Sequence, residues 1–280
     1  MIPIILRLGP VTIYSYGLMM ALGFIAADLL LSHECRRRGF PAELATGLIV
    51  WGAIGGLAGA RLYDVFDNWS AYMGHPASIV FSGAGFIWYG GLIGGILATL
   101  LVARYYEISF LTVADMCAAP LALGMALGRM GCQLSGDGDW GLPSNLSWAM
   151  AYPRAIVGWG PDTVLKLDGH GNLISGYFPG VRVHPTPIYE AILYVAIFCF
   201  LWSIRRKTTL EGELLYLYLI LAGSARFLVE FVRINPRVLW GLSEAQLISL
   251  VMIGAGSMAW YWSSRRRGEP VKAGREALRA

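Results

Sequence analysis

Residues 126–143 read ALGRMGCQLSGDGDWGLP, and the fold is decided by what stands at the fourth position. The stretch before it, APLALGMALG, is apolar, and Arg129 arrives before any run of turn residues has begun. Glycines, Asp137, Asp139 and Trp140 then crowd into the next dozen positions. In water a helix ending in arginine needs no explanation. In a bilayer the same arginine costs roughly 2.5–3.5 kcal/mol at the centre, and such residues face a partner or a wet cavity. The reading therefore depends on the solvent in which the chain lives.

Composition answers that question. The chain has 280 residues, of which 56% are hydrophobic and 14% charged, with a mean hydropathy of +0.55. Soluble domains carry about 25% charged residues, so the deficit points to lipid. Apolar runs near the ~20 residues needed to cross a bilayer recur at 13–31, 43–62, 86–103, 111–128, 187–204, 213–232 and 245–262. The expected fold is an all-α polytopic membrane protein of about seven spans, forming a single membrane domain over 1–280.

The formal net charge of +4 raises nucleic acid as a partner, and its distribution removes it. Arg36, Arg37 and Arg38 follow the first run, Arg104 the third, and Arg205, Arg206 and Lys207 the fifth. Arg265, Arg266, Arg267, Lys272, Arg275 and Arg279 follow the seventh, so that thirteen of the 22 basic residues fall on one side if the spans alternate. The positive-inside rule makes that side cytoplasmic. The expectation is amino terminus out and carboxyl terminus in, with 265–280 a basic cytoplasmic tail that also suits anionic lipid. MIPIILRLGP lacks the separate apolar core and cleavage site of a signal peptide. Cys35, Cys117, Cys132 and Cys199 form no CxxC pair, which argues against a disulfide framework and a cysteine-based metal site. Neither a metal nor another cofactor is expected.

One connection is long. Residues 129–186 form an extracytoplasmic insertion between the fourth and fifth spans, and long insertions in compact bundles tend to be functional. Within it, Val164–Leu167 and Leu173–Ser175 flank Asp168-Gly169, a hairpin pattern. The loop DNWSAYMGHPASIVFSGAGF, residues 67–86, is rich in turn residues and in the aromatics that collect at membrane interfaces. His75 and His170 lie in turn-like sequence and read as solvated, and His33 follows the first span on the inner side, away from the charged cluster. Glycine is concentrated in GAIGGLAGA (52–60) and YGGLIGGILA (89–98), where four-residue spacings let helix backbones approach. Packing is the main reading there; direct ligand contact is the alternative, chiefly for Gly90 and Gly91.

The charges inside the apolar runs carry the functional argument. Arg61 sits in GARLYD, Arg129 in LGRMG, and Arg226, Glu230 and Arg233 in ARFLVEFVR. By alternation all lie toward the outer leaflet. Arg226 and Glu230 are four apart and Glu230 and Arg233 three apart, so they share a helical face. Two readings stand: a structural ion-pair network, or arginines converging on an anionic headgroup, whose phosphate a guanidinium matches with paired donors. VHPTPIYEA adds His184, Tyr189 and Glu190 at the entry to the fifth span, with His184 either a structural side chain or a phosphate contact or proton acceptor.

Taken in order, LGPVTIYSYGLMMALGF, GARLYDV, YGGLIGG, APLALGMALGRMG, HPTPIYEA, ARFLVEFVR and GLSEAQLISL resemble the prolipoprotein diacylglyceryl transferase family nearly end to end. The resemblance implies a multi-pass enzyme of the bacterial cytoplasmic (inner) membrane. It would move the diacylglyceryl group of phosphatidylglycerol to the lipobox cysteine thiol of a prolipoprotein signal peptide, forming a thioether. The alternatives are a diverged relative with another donor or acceptor, and a non-catalytic lipid-binding or transport protein. The resemblance carries Arg129, Arg226 and Tyr16 over as catalytic, with Tyr89 and His184 as further candidates. Arg61, Gly90, Gly91, Glu230 and Asp137 join Arg129 and Arg226 as substrate-binding candidates. The chain departs from the family pattern at Tyr89, where a histidine is usual, and at Cys132, where an asparagine is usual. Ser135-Gly136-Asp137 replaces asparagine-glycine-glutamate, Ala222 replaces a tyrosine, and GDGDWG is one residue longer.

Overall fold

The computed structural model describes residues 1–9, 11–70, 87–156, 166–167, 173–175, 182–208 and 210–266. An amino-terminal antiparallel hairpin, β1 (Ile4–Leu8) and β2 (Val11–Tyr14), leads into α1 (Ser15–Arg38). Then follow α2 (Glu43–Asp67), α3 (Trp88–Tyr105) and α4 (Phe110–Ser135). After the insertion come α5 (Thr186–Ile204), α6 (Glu213–Val229) with a 3-10 turn at Glu230–Val232, and α7 (Glu244–Arg266). Six of these helices, α1 to α6, are long and apolar enough to cross a membrane. The seventh run also forms a helix but falls outside that group. The chain is a mostly helical, multi-pass membrane protein.

Two short hairpins complete the described elements. Within the insertion, β3 (Lys166–Leu167) pairs with β4 (Leu173–Ser175), at the place of the hairpin pattern in the sequence. Ahead of α7, β5 (Arg237–Leu239) pairs with β6 (Leu242–Ser243). Its two-residue turn, Trp240-Gly241, holds both residues at positive φ, 51° and 72°, as a type I′ turn requires. Trp240 is 85% exposed at the tip, as suits an aromatic at a membrane interface. The loop at 71–86, with His75, as well as His170, the Asp168-Gly169 turn and the tail from Arg267, lie outside the described residues.

The chain forms two compact units: Ala27–Met116, and Met1–Ala26 with Cys117–Ala280. In the first, α2 and α3 pack through their glycines. A Cβ on Gly59 would stand 2.9 Å from the Gly94 Cα and closer still to the Gly90 oxygen, and one on Gly55 would stand 2.7 Å from the Gly94 oxygen. Backbones this close exclude side chains, which is what small residues four apart provide between helices in lipid. At the other end of this unit, Thr46 donates to Asp28 at 3.0 Å, and Glu34 is buried between Arg37 and Arg38.

In the second unit, Ala118, Ala119, Ala122 and Ala126 of α4 meet Tyr194, Ile197 and Leu201 of α5, and Leu214, Ala222 and Ala225 of α6. The alanine stripe lets three helices share one core. Gly223 of α6 lies against the Ser249 oxygen of α7. The sequence places the end of the fourth span at 128; the helix runs on to Ser135. Met130 to Ser135 contains no breaker strong enough to stop it. Gly136, at φ 66°, ends the helix by donating its N–H to the Cys132 carbonyl at 2.9 Å. Arg129 therefore stands inside a helix, not past its end.

The glycine contacts give a direct test. Gly59→Val forces α2 and α3 apart, since overpacking of this kind costs about 1–3 kcal/mol or more. Gly254→Ala, where nothing lies within 4 Å, is the control. Thermal unfolding in detergent is expected to show a clearly lowered midpoint for the first and an unchanged one for the second. Equal midpoints would contradict the packing.

Candidate functional site

The second unit gathers charge at one end of its helices. Arg129 of α4 ion-pairs with Glu190 of α5 and with Asp139 of the loop that follows α4. Arg226 of α6 pairs with the same Glu190, and with Glu230 at 2.9 Å. Arg233, just past the 3-10 turn, pairs with Asp139, reaches Glu190 at 3.4 Å and lies 3.7 Å from Glu230. Three guanidiniums and three carboxylates thus form one connected cluster. Glu190 and Glu230 are 1% and 0% exposed, and Arg233 is 6% exposed. A lone carboxylate so buried would bear a penalty of several kcal/mol. Sharing by three arginines is what makes Glu190 tolerable there.

Each arginine is positioned by its own local structure. Arg129 is delivered by the seven residues of α4 that follow Gly128. Arg226 and Glu230 face each other across one helical turn, as their spacing predicts, and the turn into 3-10 geometry brings Arg233 round to the same carboxylate. Glu230 is held from behind. Ser243 donates to it at 2.8 Å and Asn235 also donates to it. Ser243 caps α7 reciprocally with Gln246: the Gln246 N–H donates to the Ser243 hydroxyl at 3.3 Å, and the Gln246 side-chain oxygen accepts the Ser243 N–H at 3.1 Å. This is a capping box.

The insertion closes over the cluster through backbone pairing. Leu142 donates to the Val232 carbonyl at 2.8 Å, Gly141 to that of His184 at 2.8 Å, and His184 to that of Leu142 at 3.0 Å. A Cβ on Gly141 would stand 2.9 Å from both the His184 Cβ and the Thr186 methyl, so only glycine allows this approach. Trp140 packs on Tyr152, ring centroids 4.9 Å apart, with Val183 beneath. Thr186 donates to the Asp139 carbonyl.

The remaining candidates divide between the units. Tyr16 begins α1 with its ring against Gly131 of α4, whose Cβ would stand 3.2 Å from it. The amino terminus is tied to the same place, because Ile2 donates to the Leu134 carbonyl at 3.2 Å. Asp137 accepts the Asp139 N–H at 3.3 Å. Burial pushes the Asp137 carboxyl above the usual carboxylate range, whereas burial at Asp139 is outweighed by Arg233 and Arg129, which hold its carboxyl below that range. His184 Nδ1 lies 3.2 Å from the Tyr189 hydroxyl, which accepts the Trp148 indole N–H at 2.8 Å. Cys132, Asp137 and Asp139 have donor atoms within 4.8 Å of one another. Both oxygens of Asp139 are engaged by Arg129 and Arg233, which makes that residue of the trio part of the ion-pair network. Arg61, Tyr89, Gly90 and Gly91 belong to the other unit. There Arg61 lies 3.8 Å from Asp64, Tyr89 packs edge-on against Trp88, and Gly90 and Gly91 face Gly59, Tyr63, Gly56 and Ala60 of α2.

Comparison with known proteins places the chain in a family. The family model described as prolipoprotein diacylglyceryl transferase matches residues 3–262. The chain belongs to that family. It is 34% identical over 275 residues to the phosphatidylglycerol–prolipoprotein diacylglyceryl transferase of Bordetella avium, covering 94% of this chain and 95% of the relative. Relatives of the same name from Nostoc and Nitrosomonas europaea are 31% and 30% identical, over 94% and 99% of this chain and 90% and 95% of theirs. The ion-pair cluster thus sits in the membrane domain of a transferase family. Sequence reasoning points to Arg129, Arg226 and Glu230. It sets Arg233 and Glu190 among the same charges without giving either a role in the site, and it passes over Asp139.

Removing the shared carboxylate should show its weight. Breaking a buried pair by deleting one partner costs about 3–5 kcal/mol, and Glu190→Ala would leave three arginines short of a counter-charge. We expect a large fall in the thermal midpoint of the detergent-solubilised protein and a smaller one for Glu190→Gln. A midpoint unchanged in Glu190→Ala would show that the shared carboxylate does not hold these helices together.

Proposed function

We propose that this chain transfers the diacylglyceryl group of phosphatidylglycerol to a cysteine thiol in the signal peptide of a prolipoprotein, at the outer leaflet of a bacterial inner membrane. In this reaction a sulfur–carbon bond forms, the bond between glycerol carbon and phosphate oxygen breaks, glycerol phosphate leaves, and the thiol proton passes to an acceptor. The observation that carries the reading is the convergence of Arg129, Arg226 and Arg233 on buried carboxylates in a chain that belongs to the transferase family.

The chemistry suits such a cluster. Negative charge grows on the departing phosphate, and preorganised donors in a water-poor site stabilise it far better than mobile ones in water. In this reading Arg129 and Arg226 bind the phosphate, Glu230 orients Arg226, and Tyr16, beside Gly131, lines the same end of α4. The thiol, with an ordinary pKa near 8.5, attacks as thiolate. A useful base has a pKa drawn toward the working pH, which favours Asp137, whose carboxyl is raised by burial, over a tyrosine near 10. His184 is a second acceptor candidate, oriented by Tyr189. Tyr89 is assigned a hydrogen bond to the donor lipid rather than the proton, and Arg61, Gly90 and Gly91 remain candidates for substrate binding. The topology that accompanies this reading has seven spans, the amino terminus outside, and 129–186 as the extracytoplasmic insertion.

Complementation of a strain depleted of its own transferase tests the proposal. The wild-type chain should restore lipoprotein maturation. Arg129→Ala and Arg226→Ala should each abolish it, since losing a desolvated charge-assisted pair costs about 2–5 kcal/mol, and lysine should not rescue fully because it lacks the planar fork. Arg104→Ala should be silent. Tyr89→Phe should lose little, as one hydrogen bond is worth about 0.5–1.5 kcal/mol, and Tyr89→His should be tolerated. Normal maturation by both arginine variants at normal expression would overturn the phosphate-binding reading. A folded Tyr89→Phe enzyme without thioether formation would make Tyr89 catalytic.

A further inference from the structure

The cluster balances its own charge. Its three guanidiniums face three carboxylates, so no net charge awaits an incoming phosphodiester. The three carboxylates are not alike. Glu190 and Glu230 are 1% and 0% exposed, the first in a helix and the second in the 3-10 turn that extends α6. The Asp139 side chain is 30% exposed and sits on a loop. That loop carries Gly136 and Gly138, both at positive φ, 66° and 98°. The geometry of Asp139 is also distinctive, for its two oxygens bridge two different arginines, one to Nη1 of Arg129 and the other to Nη2 of Arg233.

We propose that the Asp139 carboxylate is a built-in stand-in for the donor's phosphodiester, bridging Arg129 and Arg233 until the lipid displaces it. This rests on the phosphate-binding reading above, shares its Arg129, and adds Arg233 as a further guanidinium on the phosphate and Asp139 as the residue that sets donor affinity. A phosphodiester presents two non-bridging oxygens and a single negative charge, as an aspartate does. Exchange of one for the other therefore leaves the cluster neutral and both arginines paired. The loop need not unravel. The Asp139 carbonyl accepts from Thr186, and Gly141 is bridged to Arg233 and His184, so the backbone after Asp139 stays anchored. The carboxylate leaves by rotation about its own side-chain bonds. No bond is made or broken in the exchange.

A site filled by its own carboxylate keeps only that fraction of its affinity for which it stands open, so that nine-tenths occupancy lowers affinity about tenfold. The test measures binding of dihexanoyl phosphatidylglycerol to the full chain in detergent by isothermal titration calorimetry. Asp139→Asn keeps the shape and removes the charge, and is expected to tighten binding by roughly tenfold, while Arg129→Ala loses it. If Asp139→Asn binds no more tightly while Arg129→Ala still abolishes binding, the stand-in is wrong and the phosphate-binding reading survives. If Arg129→Ala and Arg226→Ala both bind as the wild type does, the phosphate-binding reading fails and takes the stand-in with it. Carbodiimide labelling of the unaltered protein avoids any folding defect. Asp139 should become more reactive when phosphatidylglycerol is added, and unchanged reactivity would overturn the proposal.

Discussion

Glu190 is the constraint on which the second unit depends. A carboxylate with 1% exposure has no water to solvate it, and the interior of a membrane bundle offers nothing in exchange except opposite charge and donors. The chain supplies three guanidiniums, from α4, from α6 and from the turn after α6. Each arginine in turn takes its counter-charge from these carboxylates. The ends of these elements are therefore tied by mutual need, and a rotation of any one would strand a charge on the others.

Packing elsewhere is arranged so that this closure can form. The alanine face of α4 lets α5 and α6 approach it together, and Gly136 stops α4 shortly beyond Arg129. Gly141 lets the insertion lie directly on Val232, His184 and Thr186, which returns Asp139 to Arg233 across 94 residues of sequence. The capping box at Ser243 and Gln246 serves two ends, since the hydroxyl that starts α7 also donates to Glu230. Membrane burial thus turns a few polar side chains into the strongest specifiers of helix arrangement in this unit.

What is legible in the sequence is local. The apolar runs at 13–31, 43–62 and 86–103 match helices because a bilayer demands length and apolarity, both of which sum over a window. The spacing of Arg226, Glu230 and Arg233 gives their pairing, since helical geometry alone brings them together. Glycines four apart give the α2–α3 approach for the same reason. The end of α4 is misplaced from sequence because a charge reads as a boundary, whereas the structural stop is a positive-φ glycine seven residues later. The amino-terminal hairpin escapes the search for apolar runs, although Gly9-Pro10 between IILRL and VTIY marks a turn. Asp139 and Arg233 cannot be paired from spacing, for an insertion folding back brings them together. Nothing in one chain's composition reports that.

The central claim is that the arginines of this cluster meet the phosphate of phosphatidylglycerol. Phosphorus–nitrogen dipolar recoupling by solid-state NMR, on arginine-labelled protein in phosphatidylglycerol bilayers, measures that approach directly. The account predicts guanidinium nitrogens within a few ångströms of lipid phosphorus, and a recoupling signal that disappears when Arg129 is replaced by alanine. A signal that persists unchanged in Arg129→Ala, or one that arises only from the basic residues flanking the helices, would contradict it.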